Sequence, residues 1–213
     1  MDIELIELPQ LAIRRIAVSA MDNNAYLLTS AGEHLLVDAA AEPGAIAGLV
    51  AASPGELRYV LTTHSHHDHI GALAAVAAAH PEAEILSGEA DAAAITAATG
   101  VPITRRLKDG DVISLGVLEL AVIGLRGHTP GSIALAHAEV GASPQLFTGD
   151  SLFRGGVGNT QKDPRRFAGL LADVISRIFD AYPDEAVVWP GHGRPTTLGA
   201  ERPHLAEWRA RGW

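Results

Sequence analysis

The 213-residue sequence contains no cysteine. Its absence excludes a disulfide framework and leaves no thiolate to act as a nucleophile or as a metal ligand. Any bound metal must therefore be held by imidazole and carboxylate groups. The sequence also lacks an apolar run long enough to cross a bilayer, and Asp2 and Glu4 stand where a secretory signal would carry basic residues. These absences predict a cytoplasmic protein that does not insert into membranes.

Positive charge is also scarce. Sixteen Lys and Arg residues face 25 Asp and Glu residues, which gives a formal net charge of −9. Because nucleic-acid binding needs a basic patch, this balance predicts no nucleic-acid partner. Aromatic residues make up only 5% of the chain, so we expect a core of small and branched side chains packed between layers of sheet and helix. The length suits one domain, and we predict a single domain over residues 1–213.

Short apolar runs between turn-forming residues predict strands at 13–17, 25–29, 34–38, 57–62, 84–86, 112–123 (two strands about Gly116), 132–138, 145–148 and 186–189. The turn residues in the first part of the chain are Asn23, Asn24, Ser30 and Gly32. Helices are predicted at 43–52, 71–79, 89–98 and 164–180, with a weaker one within 198–213. Early hairpins followed by alternating strands and helices indicate sheets covered by helices.

Four of the ten histidines lie within six residues, from His64 to His69. The segment follows a predicted strand, and alternate side chains of an extended backbone share one face, so His64 and His66 can converge on one point. The chain then turns, which lets Asp68 and His69 reach a second point beside the first. Imidazole and carboxylate groups at this spacing suit zinc, iron or manganese. His67 falls outside the pattern, and we predict that it binds no metal.

Three further residues of ligand type stand beside glycine at the ends of apolar strands: His128, Asp150 and His192. Functional groups of sheet proteins gather on such loops. Each residue alone is a weak signal, but together with the His64–His69 segment they supply the remaining donors of a two-metal site.

The pattern His64-x-His66-x-Asp68-His69, followed in order by His128, Asp150 and His192, resembles the metallo-β-lactamase superfamily. Within it, the chain is similar to the short members of the glyoxalase II-like branch, and the same resemblance extends to residues 150–153, 155–158 and 190–193. The resemblance implies an α/β (α+β) fold, namely an αββα sandwich of two mixed sheets with helices on the outer faces.

The resemblance also implies a ligand set. His64, His66 and His128 would hold the first metal; Asp68, His69 and His192 would hold the second; and Asp150 would bridge the two. We expect two zinc ions per chain, with iron or manganese as alternatives. Asp38, at the end of a predicted strand, is either a turn or cap residue or, as the resemblance implies, a buried carboxylate that orients a ligand.

The implied activity is hydrolysis of an S-acyl thiol, such as the 2-hydroxyacyl conjugate of glutathione, so the predicted partner is a small-molecule thioester. Two adjacent dications would convert a shared water into the attacking hydroxide near neutral pH. Asp68 is the predicted catalytic residue, because its carboxylate can orient that hydroxide. Arg154, Asn159 and Arg165 are candidates for binding a carboxylate of the thiol, although an ordinary exposed loop explains each of them better singly.

Two departures from glyoxalase II leave the thiol carrier open. The chain ends about where that enzyme's helical thiol-binding domain would begin, and Gly193-Arg194-Pro195 replaces a tyrosine-bearing segment. One alternative is a mononuclear iron persulfide dioxygenase, with a triad of His64, His128 and Asp150, although residues 158–160 lack that group's Gly-Arg-x-Asp pattern. A non-enzymatic protein of the same fold is disfavoured by the complete ligand set. A β-lactam hydrolase is disfavoured because Asp150 stands where those enzymes commonly use cysteine.

Overall fold

The first of two large sheets is built from the N-terminal half of the chain. The computed structural model describes residues 2–212. Met1 and Trp213, the two ends of the predicted domain, lie outside the described residues. Trp213 was also within the range of the predicted C-terminal helix. The sheet contains, in spatial as in chain order, β1 (Glu4–Glu7), β2 (Ala12–Val18), β3 (Asn23–Ser30), β4 (Glu33–Val37), β5 (Glu56–Thr62), β6 (Glu84–Gly88) and β7 (Arg105–Leu107). The pairs from β1 to β4 are antiparallel and those from β4 to β7 are parallel.

The second sheet is built from the C-terminal half. Its strands are β8 (Val112–Leu115), β9 (Leu118–Gly124), β10 (Ile133–His137), β11 (Gln145–Gly149), β14 (Val187–Pro190) and β15 (Thr196–Thr197). The spatial order is β15-β14-β11-β10-β9-β8, and only the β11–β14 pair within this sheet is parallel. A separate small hairpin joins β12 (Leu152–Phe153) to β13 (Gly156–Val157). Both large sheets are therefore mixed.

Helices cover the outer face of each sheet. The first sheet carries α1 (Pro43–Ala51), α2 (Leu73–Ala79) and α3 (Ala92–Thr99), and the second carries α4 (Pro164–Val174), α5 (Leu198–Glu201) and α6 (Leu205–Arg211). Short 3₁₀ turns occupy His67–His69 and Arg202–His204. The layer order is helix, sheet, sheet, helix, which confirms the predicted αββα sandwich. Within residues 2–212 no helix has the length and apolarity needed to traverse a bilayer.

Side-chain alternation in β3 shows how the layers are held together. Tyr26 and Leu28 point into the core between the two sheets, whereas Ala25 and Leu27 pack under the helices of the first sheet. A strand directs successive side chains to opposite faces, so a strand that is buried on both faces must be apolar almost throughout. This explains why the central strands were recognisable as continuous apolar runs.

The helix predicted over residues 164–180 is present, but its last turn is a π-helix. Asp163 caps α4 by accepting hydrogen bonds from the backbone N–H groups of Arg165 and Arg166, and Pro164 occupies the first turn, where its missing N–H costs nothing. The apolar face of α4 packs on the second sheet. Ile175–Phe179 then continues as the π-helix.

Two parts of the sequence-based description need correction. Asn23, Asn24 and Ser30 were expected to lie in turns, but all three belong to β3. The two asparagines are fully buried, and their amides bond to other parts of the chain. Strands β1, β7, β12, β13 and β15 were not predicted. They are two to four residues long, too short to show alternation, and they become strands only because a neighbouring strand supplies backbone partners.

The cap of α4 provides a test of this local interpretation. Replacing Asp163 by Ala removes both side-chain hydrogen bonds and should lower the free energy of unfolding by about 0.5–2 kcal/mol. Asp163→Asn should retain most of the stability, because asparagine caps helices nearly as well. Urea denaturation followed by circular dichroism measures both variants. Equal losses in the two would contradict the capping role.

Candidate metal centre

Seven histidine and aspartate side chains from both sheets meet at one end of the sandwich. They lie on four loops: the loop after β5, the loop between β9 and β10, the loop after β11 and the loop after β14. The first loop contributes four of them and each other loop contributes one. The seven residues are His64, His66, Asp68, His69, His128, Asp150 and His192. The structure thus brings together every ligand candidate predicted from the sequence.

Three imidazoles form the first of two clusters. The ligand nitrogens of His64, His66 and His128 lie within 4.8 Å of one another. The Nε2 atoms of His64 and His128 are buried and have no hydrogen-bond partner among the described residues. Leaving a buried polar atom unpaired costs about 1–3 kcal/mol. Two such atoms aimed at one point therefore fit a cation, which would accept both lone pairs.

Asp68, His69 and His192 form the second cluster. The Oδ2 atom of Asp68 lies 3.6 Å from the Nε2 atom of His69 and 3.3 Å from the Nε2 atom of His192. The two Nε2 atoms are 3.1 Å apart. Two imidazoles and one carboxylate converge here, which is a donor set suited to zinc or iron.

Asp150 lies between the clusters and faces both. Its Oδ2 atom is 3.5 Å from the Nε2 atom of His128 and 3.4 Å from that of His192. Its Oδ1 atom is 3.3 Å from the Nε2 atom of His69, but the two atoms are not aligned as a hydrogen bond, and Oδ1 has no partner among the described residues. One carboxylate is therefore shared by the two groups of donors.

Backbone carbonyls set the orientation of two of the histidines. The Nδ1 atom of His128 lies 2.8 Å from the carbonyl oxygen of Asn159, and the Nδ1 atom of His192 lies 2.9 Å from that of Met21. A carbonyl oxygen only accepts, so in each ring Nδ1 carries a proton and Nε2 points toward the cluster.

Asp38 performs the same task for the loop after β5. Its Oδ2 atom accepts from the Nδ1 atom of His69 at 2.9 Å and from the Thr63 hydroxyl at 2.8 Å, and its Oδ1 atom accepts from the Thr63 N–H at 2.7 Å. The Thr63 oxygen, whose own proton goes to Asp38, can then accept from the Nδ1 atom of His64 at 3.0 Å. Asp38 is buried and has a φ of 58°, a left-handed conformation that aspartate tolerates. Of the two interpretations left open for Asp38, this contact with His69 favours the buried carboxylate that orients a ligand candidate.

Burial governs the charge of the three-histidine cluster. Loss of hydration is the largest effect and lowers the pKa of His64, His66 and His128; neighbouring imidazoles add to it, and the Asp150 carboxylate opposes it without outweighing it. These rings are consequently neutral near pH 7 and keep a lone pair on one nitrogen, as a metal ligand must.

In the second cluster, neighbouring carboxylates determine the pKa values of the histidines. Burial alone would lower the pKa of His69, but Asp38 and Asp150 on either side outweigh it and raise that pKa to about 10. The adjacent Asp150 carboxylate likewise raises the pKa of His192. Burial would raise the pKa of Asp150, yet its contacts with these two histidines hold it far below the usual range. A cation bound there would replace the protons on these rings, because metal binding releases protons from its ligands.

Close packing around Asp150 explains two of the glycines. A Cβ atom at Gly191 would collide with the Oδ1 atom of Asp150 and lie 2.7 Å from the His69 ring, and one at Gly158 would collide with the carbonyl oxygen of Asp150. Only glycine lets the chain approach the carboxylate this closely.

The other residues considered in the sequence analysis lie in different surroundings. The side chain of His67 is 93% exposed, and its Nδ1 atom lies 3.9 Å from the Oδ1 atom of Asp68; that it binds no metal stays a prediction. Arg154 lines a hollow of about 420 Å³ that also borders His192. Asn159 contacts His128 through its backbone, not its side chain, and Arg165 lines a different hollow together with Gly127 and Thr129.

Three residues near the centre were missed by the sequence reasoning. Asn23 donates from Nδ2 to the Oδ2 atom of Asp68 at 3.0 Å. Asp91, expected only as part of a helix, is buried and accepts hydrogen bonds from two of the ligand loops. Arg166 donates to the backbone oxygens of Gly127 and His128. No local pattern marks these residues, because each acts on a loop distant in sequence.

Comparisons with known proteins agree with this geometry. The family model of the metallo-β-lactamase superfamily matches residues 19–192. The chain is 38% identical to the hydroxyacylglutathione hydrolase of Anaeromyxobacter dehalogenans over 173 residues, which is 80% of this chain and 61% of that protein. It spans between 49% and 61% of the length of this and two further curated hydroxyacylglutathione hydrolases.

Two solved structures are similar in fold. One is TTHA1623 in a di-iron-bound form, with a TM-score of 0.69 and 31% identity, covering 88% of this chain and 96% of that one. The other is ETHE1 from Myxococcus xanthus, with a TM-score of 0.78 and 25% identity, covering 93% of this chain and 84% of that one.

The position of Asp150 between the clusters leads to a clear expectation. Asp150→Ala removes a carboxylate that faces both clusters, so the purified variant should retain no bound metal, whereas His67→Ala should bind as much as the unaltered protein. Elemental analysis after dialysis measures both. A metal-free His67→Ala variant, or an Asp150→Ala variant with full metal content, would show that the donors have been assigned wrongly.

Proposed function

The chain belongs to the metallo-β-lactamase superfamily, and we propose that it is a metal-dependent hydrolase of thioesters formed by low-molecular-weight thiols. The observation that carries the proposal is the convergence of seven donor side chains into two clusters that share Asp150. The thioester class is supported by the similarity to hydroxyacylglutathione hydrolases.

In this proposal each cluster holds one cation. His64, His66 and His128 would hold the first, Asp68, His69 and His192 would hold the second, and the Asp150 carboxylate faces both groups of donors. Zinc fits the nitrogen and oxygen donors, and the similarity to a di-iron-bound protein supports a centre of two metals. When bound, such cations lower the pKa of a water molecule and polarise the substrate carbonyl.

Asp68 is the proposed catalytic carboxylate. Burial works against its ionisation, but the hydrogen bond from Asn23 and the charge of His69 outweigh this effect and lower its pKa. Asp68 therefore remains an acceptor at neutral pH. Asn23 donates to the Oδ2 atom, and in this proposal the carboxylate also accepts a proton of the attacking water and thereby orients the water toward the carbonyl carbon.

The hollow beside His192 is the proposed substrate pocket. Phe153, whose ring centroid is 6.3 Å from that of His192, offers an apolar surface to an acyl or thiol chain. Arg154, on the turn of the β12–β13 hairpin, lines the same hollow and has no hydrogen bond or ion pair with any of residues 2–212. This cation suits the carboxylate of a small thiol, and a departing thiolate needs no proton donor.

A mononuclear iron persulfide dioxygenase is the second candidate, because the chain is similar to ETHE1. Its triad would be His64, His128 and Asp150, whose carboxylate lies 3.9 Å and 3.5 Å from the two rings. That triad would leave the complete second cluster without use. We therefore favour the hydrolase.

The deciding experiment combines metal analysis with two assays on the purified full chain. We expect about two metal ions per chain and hydrolysis of S-lactoylglutathione or another S-acyl thiol, followed as thiol release and abolished by a chelator. Addition of zinc should restore the activity. One iron ion per chain, with oxygen uptake on glutathione persulfide and no thioester hydrolysis, would establish the dioxygenase instead.

The pocket assignment makes a prediction for Arg154. Arg154→Ala should raise KM for a carboxylate-bearing thioester roughly three- to tenfold, the equivalent of about 0.7–1.4 kcal/mol for one exposed charge contact, while kcat changes little. Steady-state kinetics at low ionic strength measure the effect.

Two controls accompany this variant. An uncharged thioester should be hydrolysed equally well by Arg154→Ala and by the unaltered protein, and Arg209→Ala, which removes an exposed arginine of α6 outside the hollow, should leave KM unchanged. The same rise in KM for charged and uncharged substrates would refute an electrostatic role for Arg154.

A further inference from the structure

We propose that Asp91 is a positioning residue that holds the His64–His66 loop against the His128 loop and thereby supports the three-histidine cluster selectively. The inference rests on the proposed function to the extent that this cluster binds a cation. Asp91 belongs to neither cluster, and its carboxylate contacts none of the seven donor side chains through any hydrogen bond or ion pair described for residues 2–212.

Asp91 is 1% exposed and its carboxylate accepts three hydrogen bonds. The Oδ2 atom accepts from the N–H of Ser65 at 2.9 Å and from the hydroxyl of Thr129 at 2.5 Å. The Oδ1 atom accepts from the N–H of Gly131 at 2.8 Å. Hydrogen bonds to an ionised carboxylate are about twice as strong as neutral ones, so the three bonds hold both loops firmly.

The positions of these donors show which histidines the contact controls. Ser65 lies between His64 and His66, and Thr129 directly follows His128. Each loop belongs to a different sheet, because one follows β5 and the other precedes β10. The backbone bond from Ile133 to Thr63, 3.1 Å long, also joins the two segments, but on the strand side of the histidines. Asp91 joins the two loops beside the imidazoles, through its bonds with Ser65 and Thr129.

The location of Asp91 on its own helix supports this interpretation. It directly precedes α3, where an aspartate ordinarily accepts from an N–H of the first turn, yet its side chain makes no such bond. The three hydrogen bonds described for its carboxylate all come from other loops. Gly131 is packed so closely that a Cβ atom there would lie 2.8 Å from the Cβ and Cγ atoms of Asp91. The contact therefore depends both on the Asp91 carboxylate and on the absence of a side chain at Gly131.

The second cluster has separate supports. Asp38 orients His69, Asn23 bonds to Asp68, and the carbonyl oxygen of Met21 orients His192. None of these bonds involves Asp91. Loss of its carboxylate should consequently loosen one cluster and spare the other, a pattern that general destabilisation does not produce.

The test uses the full chain, from which a chelator has first removed all metal. Co²⁺ is then titrated in, and its binding is followed by visible absorption. Urea denaturation measures the stability of each variant. The unaltered protein should take up two Co²⁺ ions. Asp91→Asn and Thr129→Val should keep one tight site and weaken the other about 10- to 100-fold, as is typical for residues that orient metal ligands. Thr129→Ser, which keeps the hydroxyl, should behave like the unaltered protein.

Glu201→Gln is a matched control. Glu201 is 4% exposed and accepts from the N–H of Gly155 and the hydroxyl of Thr196, the same kinds of donor that bind Asp91. This variant should lose comparable stability in urea while both Co²⁺ steps stay unchanged. The comparison separates a local effect on the cluster from the general cost of altering a buried carboxylate.

The outcomes are distinguishable. An unaltered protein that binds no Co²⁺ would overturn the proposed function, and this inference with it. Two Co²⁺ ions in the unaltered protein, with Thr129→Val or Asp91→Asn indistinguishable from it, would overturn the inference alone, as would equal weakening of both sites. If Asp91→Asn does not fold, Thr129→Val decides, because it removes one hydroxyl and retains the carboxylate.

Discussion

The Asp150 carboxylate faces donor side chains from both sheets, so its surroundings depend on how the two sheets pack against each other. Its oxygens lie 3.3–3.5 Å from histidines of three different loops. Buried polar atoms at this density are costly unless something pairs them. Two bound cations would pair these atoms. The proposed metal site would therefore offset the cost of burying so many polar side chains together.

Rigid support for this centre comes from contacts between the two sheets. Beneath it, Tyr26 of β3 packs edge-on against Phe147 of β11, with ring centroids 5.4 Å apart, and its hydroxyl donates to the carbonyl oxygen of Pro190. The amide of Asn24 donates to the same oxygen and to that of Gly193. Residues of the first sheet thus hold the loop of the second sheet that carries His192. Apolar packing sets the distance between the sheets, and polar bonds set the position of the loop.

The histidines of the two clusters are oriented by different chemistry, which gives the clusters different electrostatic character. In the three-histidine cluster, burial dominates and the rings are neutral. In the other, carboxylates dominate and the pKa values of His69 and His192 are raised. A cation entering the second cluster must therefore displace more protons than one entering the first. The supporting residues differ too: Asp91 bonds beside the three-histidine cluster, whereas Asp38 reaches His69 directly and His64 through Thr63.

The sequence alone determined the features that depend on neighbouring residues: the alternation that buries β3, the apolar face of α4, and the spacing that lets His64 and His66 converge while Asp68 and His69 turn away. Their places beside glycine at strand ends grouped His128, Asp150 and His192 with that segment, the likeness to a known family assigned each to a metal, and the structure places all of them together. Only the tertiary structure decided the roles of Asn23, Asp91 and Arg166, and only it made strands of short segments such as β7. The physical reason is range. Periodicity and spacing are written in consecutive residues, whereas a side chain that bonds to a loop 38 positions away, as Asp91 does to Thr129, has its partner chosen by how two sheets pack.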